Sequence, residues 1–204
     1  MNGKTCKKMN NSDKTILHLC CSKLASDSQI YSEYGYNVIK VGLDFGLDVM
    51  TYKPPENVYG IIANPPCTMF SIARTKAKTP RDLRQGMETV IACLKIIWEC
   101  QYNLNGDQRT SNLKFWMIEN PATGFLKWFF GNPVFQYSQH EYGYHLTKRT
   151  ALWGMFNLPK RPILYNPLPT GSTIGKKHEK TKHDMQTRSK CPINFAKAFF
   201  EVNP

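Results

Sequence analysis

The chain has 204 residues, of which 41% are hydrophobic, a length and composition that suit one globular domain with its own core. It carries 27 Lys+Arg against 15 Asp+Glu, a net charge of +12 with an isoelectric point near 9.4, which favours a polyanionic partner, most simply nucleic acid. No run of about 18 apolar residues occurs, so no membrane span is expected. The first residues are polar and lysine-bearing without an apolar core, so no secretory signal is expected either. The seven cysteines follow no framework spacing and include no CxxC pair. Reduced thiols and a cytoplasmic location are therefore expected, and no metal. His178, His183 and Cys191 form a weak alternative ligand set.

Residues 1–14 read as a loose tail and 15–204 as a single domain. Thr15 to Leu19 reads as a short buried strand, followed by a turn of small and polar residues from Cys20 to Ser28. Gln29 to Tyr34 reads as a helix closed by Gly35, and Asn37 to Leu43 as a second strand with Asp44 at its end. This strand–turn–helix–strand order opens a doubly wound α/β fold. After the Pro54-Pro55 break, Val58 to Ala63 reads as a third strand that delivers Asn64-Pro65-Pro66-Cys67 at its carboxyl end. Residues 80–102 form the longest helical pattern, with Met87, Val90, Ile91, Leu94 and Ile97 or Trp98 on one face and Pro80 in the first turn. Asn103 to Asn112 reads as a polar loop. Leu113 to Ile118 is a fourth strand presenting Glu119-Asn120-Pro121 at its end, and Ala151 to Met155 is another strand. Residues 157–190, rich in Pro, Gly, Lys and His, read as an extended basic loop, and Phe195 to Val202 as a short closing helix.

Two residues carry the chemistry. Cys67 follows two prolines at a strand end, a stiff extended path that aims a side chain without the entropy of a flexible loop. A thiol there is either a nucleophile or a small buried hydrophobe. Glu119 lies at the end of another strand; in an apolar setting such a carboxyl can donate a proton, and otherwise it is an ordinary strand-end glutamate. Cysteine plus acid at two strand ends is what reaction at carbon 5 of a pyrimidine needs. A thiolate adding to carbon 6 makes carbon 5 enamine-like, and an acid at the neighbouring ring nitrogen stabilises the charge that forms.

Asn64-Pro65-Pro66-Cys67-Thr68-Met69-Phe70-Ser71 resembles the Pro-Cys motif of the cytosine-5 DNA methyltransferases, and Ile118-Glu119-Asn120-Pro121 is similar to their Glu-Asn motif. Lys148-Arg149-Thr150-Ala151-Leu152-Trp153-Gly154 and Phe195-Ala196-Lys197-Ala198-Phe199-Phe200 extend the resemblance to the short, phage-type members, over roughly residues 15–203. The resemblance implies a Rossmann-like class I methyltransferase fold with a doubly wound, mostly parallel sheet and a reduced target-recognition region. It implies S-adenosyl-L-methionine as donor and double-stranded DNA as partner, with a monomer as the default and the host cytoplasm as location if the chain is phage-encoded. By the same resemblance Cys67 is the nucleophile, Glu119 the acid, and Arg149 contacts the flipped base or orients Glu119. Pro66, Ser71, Asn120 and Lys148 fall on the substrate side, with Asn120 supporting the Glu119 segment. The family's second arginine falls near Ala151.

The donor side departs from the pattern. The family's Phe-x-Gly-x-Gly turn is replaced by His18-Leu19-Cys20-Cys21-Ser22-Lys23-Leu24-Ala25-Ser26, in which both glycines are absent. Leu19, Cys20 and Ser26, together with Asn64 and Pro65, are the expected donor contacts. Ala25 and Ser26 are small enough for close backbone approach but adopt positive φ only at a cost. Asp44 resembles the residue that binds the ribose hydroxyls and Asp48 the one that receives the adenine amino group. The short segment after Gly154, with Lys160, Arg161, Lys176, Lys177, Lys180 and Lys182, is expected to grip phosphates and read a short sequence. The base must leave the stack, and Phe70 or Trp153 either packs against the opened duplex or belongs to the core.

Three rivals stand beside this reading. An amino-methyltransferase shares Asn-Pro-Pro but needs an aromatic residue where Cys67 stands. The same chemistry on RNA is a second. A catalytically silent DNA-binding protein on the same fold is the third, supported by the absent glycines.

Overall fold

A computed structural model describes residues 10–102, 111–144, 147–162 and 190–204. Six strands form one sheet: β1 (Thr15–Leu19), β2 (Asn37–Val41), β3 (Val58–Ala63), β4 (Phe115–Pro121), β5 (Phe135–Ser138) and β6 (Arg149–Met155). Their spatial order is β2-β1-β3-β4-β6-β5. The pairs β1–β2, β1–β3 and β3–β4 are parallel, whereas β6 runs antiparallel to both β4 and β5. The architecture is thus an α/β mixed sheet, mostly parallel, compatible with a Rossmann-like fold.

Helices cover both faces. α2 (Leu83–Gln101) packs Val90, Cys93 and Ile97 against Leu17, Leu19, Ile61 and Ala63 on one side. On the other, α1 (Gln29–Glu33) and α4 (Ile193–Val202) pack Tyr31, Phe195 and Phe199 against Ile16, Ile62, Phe115 and Met117. All five residues of β1 are buried, as expected for a strand covered on both faces. α3 (Lys127–Phe130) is a single turn between β4 and β5.

The sequence reading locates β1, β3 and α4 closely and needs correction elsewhere. The second strand ends at Val41, because Leu43 to Phe45 turns into a short 3-10 segment that carries Asp44. The long helix starts at Leu83, capped by Asp82 accepting from the Gln85 N–H at 3.0 Å, so Pro80 lies before it. Its buried face is rotated from the expected one. Ile91 and Trp98 are 42% and 49% exposed, while Cys93 and Ile96 are inside. Residues 90–98 are apolar nearly all round the helix, so periodicity alone leaves the phase open. Glu119-Asn120-Pro121 lie within β4 and not beyond it, because β6 pairs with them: Glu119 faces Leu152, Asn120 faces Ala151 and Pro121 faces Thr150. Gly154 permits the close β4–β6 approach; a Cβ there would lie 2.1 Å from the Trp116 carbonyl oxygen. Neither β5 nor α3 was anticipated from the sequence.

Residues 1–9 of the expected tail lie outside the described residues. Asn11 to Asp13 form a short turn, tied to the end of α1 by the Asn11 side-chain amide donating to the Tyr34 carbonyl at 2.9 Å. Most of the expected polar loop at 103–112 and of the basic loop at 157–190 also lies outside them, including Lys176, Lys177, Lys180, Lys182, His178 and His183. Among the described residues no helix is long and apolar enough to cross a membrane.

Candidate active site

Strand order reverses between β1 and β3, with β2 outside one and β4 outside the other. In open α/β sheets that reversal opens a crevice at the carboxyl ends of the strands. The chain leaving β1 turns at Cys20, whose φ of +55° is the one positive value at a non-glycine position among the described residues. Left-handed backbone at a residue with a Cβ costs about 1–2 kcal/mol. The positive φ of this loop therefore sits at Cys20 and not at Ala25 or Ser26. The turn is pinned to the end of β2, where the Cys21 N–H donates to the Val41 carbonyl at 2.9 Å. Gly42 makes room for it, since a Cβ there would lie 2.0 Å from the Cys21 carbonyl oxygen. Asp44 reaches the same loop, accepting from the Lys23 N–H at 3.0 Å. Asp48 is exposed and accepts from the Met50 N–H at 2.9 Å. Leu19 is fully buried, and the Ser26 hydroxyl donates to the Cys191 carbonyl at 3.0 Å.

The segment after β3 is held from three directions. The Asn64 N–H continues the ladder to β1, donating to the Leu19 carbonyl at 3.0 Å. Asn120 on β4 donates from its side-chain amide to the Pro65 carbonyl at 3.0 Å, which anchors the prolines; Asn120 is buried and its Oδ1 has no partner. Cys67 then opens a tight turn, its carbonyl accepting from Phe70 at 2.9 Å and Ser71 at 2.7 Å. Arg81 clamps that turn by donating to the Met69 carbonyl and, at 3.0 Å, to the Ser71 carbonyl. Its guanidinium lies 4.5 Å from the centre of the Phe125 ring. Pro65 is buried, Pro66 exposed, and Cys67 and Ser71 half-buried. Phe70 and Trp153 are both core residues, at 0% and 5% exposure.

One row of polar side chains crosses the sheet beneath this turn. The fully buried His18 on β1 contacts the Ser28 hydroxyl through Nδ1 at 2.8 Å and Asn64 Oδ1 through Nε2 at 2.9 Å. Asn64 Nδ2 donates to Glu119 Oε2 at 3.4 Å. On the other side Lys148 Nζ lies 3.6 Å from Glu119 Oε1, with the two side chains only 23% and 17% exposed. Burial lowers the His18 pKa, and the neighbouring Asp27 and Asn64 only partly oppose it. Burial also disfavours the Lys148 ammonium, but Glu119, the Cys67 sulfur and Asp27 outweigh it and raise the Lys148 pKa.

Of the residues expected from sequence, Cys67, Glu119, Lys148, Asn64, Asn120 and Pro65 come together. Arg149 does not join them: its side chain is exposed and donates to Gln136 Oε1 at 3.4 Å, so Lys148 and not Arg149 reaches Glu119. Lys160 and Arg161 lie near β5. The Arg161 guanidinium pairs with Glu141 at 3.0 Å, and the Lys160 carbonyl accepts from the Tyr142 hydroxyl at 3.2 Å. His18, Ser28 and Arg81 escaped the sequence reading. The one signal, for His18 alone, is a histidine between the two leucines of a buried strand. A depression of about 220 Å³ lined by Asp13, Asn57, Tyr59 and Asn112 lies at the opposite, amino-terminal ends of the strands and shares no residue with this cluster. Among the described residues no group of three His, Cys, Asp or Glu is placed to hold a metal ion. No protein-family model matches the chain, and no curated protein is significantly similar to it.

Proposed function

We propose that the chain is an S-adenosyl-L-methionine-dependent methyltransferase that methylates carbon 5 of cytosine in double-stranded DNA, with Cys67 as nucleophile. The observation that carries this reading is the convergence of a thiol, a carboxylate and an ammonium from the neighbouring strands β3, β4 and β6. Lys148 ion-pairs with Glu119 at 3.6 Å and also interacts electrostatically with Cys67. The net charge of +12 suits a phosphate backbone.

The residues beside β1 and β2 fit the donor. The sharp turn at Cys20, the close approach over Gly42 and the Asp44 carboxylate stand just past the carboxyl ends of β1 and β2, where open α/β sheets bind ligands, and Asp48 follows in the same segment. Cys20, Asp44 and Asp48 would hold the donor, and when bound it supplies an electrophilic methyl group on a sulfonium.

On a flipped cytosine the Cys67 thiolate bonds to carbon 6, and the displaced electron pair makes carbon 5 nucleophilic. Glu119, hydrogen-bonded by Asn64 and paired with Lys148, would give a proton to ring nitrogen 3 as the thiolate adds and take it back as the adduct breaks down. After methyl transfer, loss of the carbon-5 proton to water expels the Cys67 thiolate and restores the aromatic ring.

The test is methyl transfer from labelled donor to unmodified duplex DNA, followed by nucleoside analysis. 5-Methylcytosine from the wild type, absent from Cys67→Ala while DNA binding persists, supports the reading. Full activity in Cys67→Ala sinks the mechanism. No transfer with DNA still bound favours the silent binding protein or an RNA substrate.

A further inference from the structure

We propose that His18 and Asn64 are positioning residues for Glu119, forming a fixed relay from Ser28 across three adjacent strands to the carboxyl group. The inference rests on the methyltransferase reading above. His18 on β1 pairs with Ile62 of β3, two residues before Asn64, and Ala63 pairs with Ile118, the residue before Glu119 on β4, so the three side chains stand on or just past adjacent parallel strands. Their contacts are 2.9 Å from His18 to Asn64 and 3.4 Å from Asn64 to Glu119.

The atoms leave one consistent arrangement. Glu119 Oε2 accepts from the Asn64 NH2, which leaves the Asn64 carbonyl oxygen turned toward His18. His18 must then carry its proton on Nε2, which leaves Nδ1 bare to accept from the Ser28 hydroxyl at 2.8 Å. Both ring nitrogens are satisfied with a neutral imidazole, and a neutral ring suits a site that is fully buried.

The terminal torsions of Glu and Asn side chains are broad, so one contact does not fix a carboxyl plane. Lys148 alone would let the Glu119 carboxyl swing. Lys148 on Oε1 and Asn64 on Oε2 hold it from both sides. Asn64 is in turn fixed by His18, and His18 by Ser28. An apolar side chain at position 18 would fill the same buried volume without needing partners, so packing alone does not call for a histidine there.

The experiment measures kcat, KM and affinities for S-adenosyl-L-methionine and duplex DNA in full-length His18→Leu, His18→Gln and Asn64→Ala, with a thermal melt of each. His18→Leu and Asn64→Ala are expected to lower kcat about 100-fold, the scale of a misplaced catalytic group, with both affinities unchanged. His18→Gln keeps an N–H donor toward Asn64 and is expected to recover most of the loss. A role confined to packing lowers Tm but leaves kcat per folded molecule at the wild-type value, which overturns the inference. Loss of donor affinity with kcat intact assigns Asn64 to the donor site and overturns it too. A wild type that makes no 5-methylcytosine overturns the functional reading and this inference with it, whereas a methylating wild type with fully active variants overturns the inference alone.

Discussion

The Lys148 ammonium lies 3.6 Å from Glu119 Oε1 although the strand partner of Glu119 is Leu152, so the cation of the site comes from the residue just before β6. Lys148→Met leaves the mostly buried carboxylate with Asn64 as its one remaining contact of this row. Removing one charge-stabilising donor from such a site is expected to lower kcat at least about 100-fold. It also costs about 1–3 kcal/mol of stability, read by urea denaturation. The folded-state pKa of Lys148 is raised above the ordinary 10.5. Its contribution is therefore complete below that value and disappears as pH rises through the folded-state pKa. Lys148→Met should flatten that alkaline limb; an unchanged limb would show that the pair adds nothing to stability.

His18 titrates with the opposite sign. Burial holds its folded-state pKa below the ordinary 6.5. The unfolded chain therefore takes up a proton at a pH where the folded one does not. The stability from the neutral ring is complete above 6.5 and falls as pH drops toward the folded-state pKa. The slope is bounded by about 1.4 kcal/mol per pH unit for one proton. Thermal melts from pH 8 to pH 5 should show this decline in the wild type and a shallower one in His18→Gln. Parallel curves would count against a neutral buried His18.

Cys20 bears the backbone strain of the loop after β1, at φ +55°. A β-branched residue is a severe outlier in that region. Cys20→Val is expected to lose at least about 1–2 kcal/mol and to weaken donor binding, whereas Cys20→Gly, free of the Cβ clash, is expected to be tolerated. Denaturation and donor titration on both variants decide it, and equal behaviour of the two would refute the strain.

Arg81 donates to two carbonyls of the Cys67 turn while lying over Phe125. Arg81→Ala should speed tryptic cleavage between residues 71 and 81, and lower kcat. Arg81→Lys should not rescue, because a single ammonium cannot reproduce a planar two-pronged donor that also stacks. Full rescue by lysine would mean that charge alone matters there.

Gly60 on β3 sits against the buried Phe115 ring; a Cβ would lie 2.3 Å from its tip. Gly60→Ala is expected to cost about 1–3 kcal/mol by overpacking, visible as a lower Tm. Pairing it with Phe115→Leu should recover part of the loss. An additive double variant would place the strain elsewhere.

The sequence by itself determined the parts whose signal is local. Thr15–Leu19 and Val58–Ala63 are short apolar runs bounded by turn residues, and both form strands over those bounds. Asn64 to Cys67 and Glu119-Asn120 carry their chemistry in residue type and order, which needs no fold to be read. Periodicity could not set the phase of α2, because Ile91 and Trp98 are as apolar as the buried Cys93 and Ile96. Nor could it find β5, a four-residue strand held by pairing with β6.

Tertiary structure decided what depends on facing and register. Lys148 and Arg149 are adjacent cations, and neighbouring residues of an extended chain point to opposite sides. Only the antiparallel seating of β6 on β4 determines that Lys148 turns to Glu119 while Arg149 faces solvent. The partners of His18 lie 10 and 46 positions away in sequence; the alignment of β1 with β3 brings Asn64 within hydrogen-bond reach, and the segment leading into α1 brings Ser28. A sequence specifies which side chains can donate and accept; the pairing of strands distant in the chain decides which of them meet.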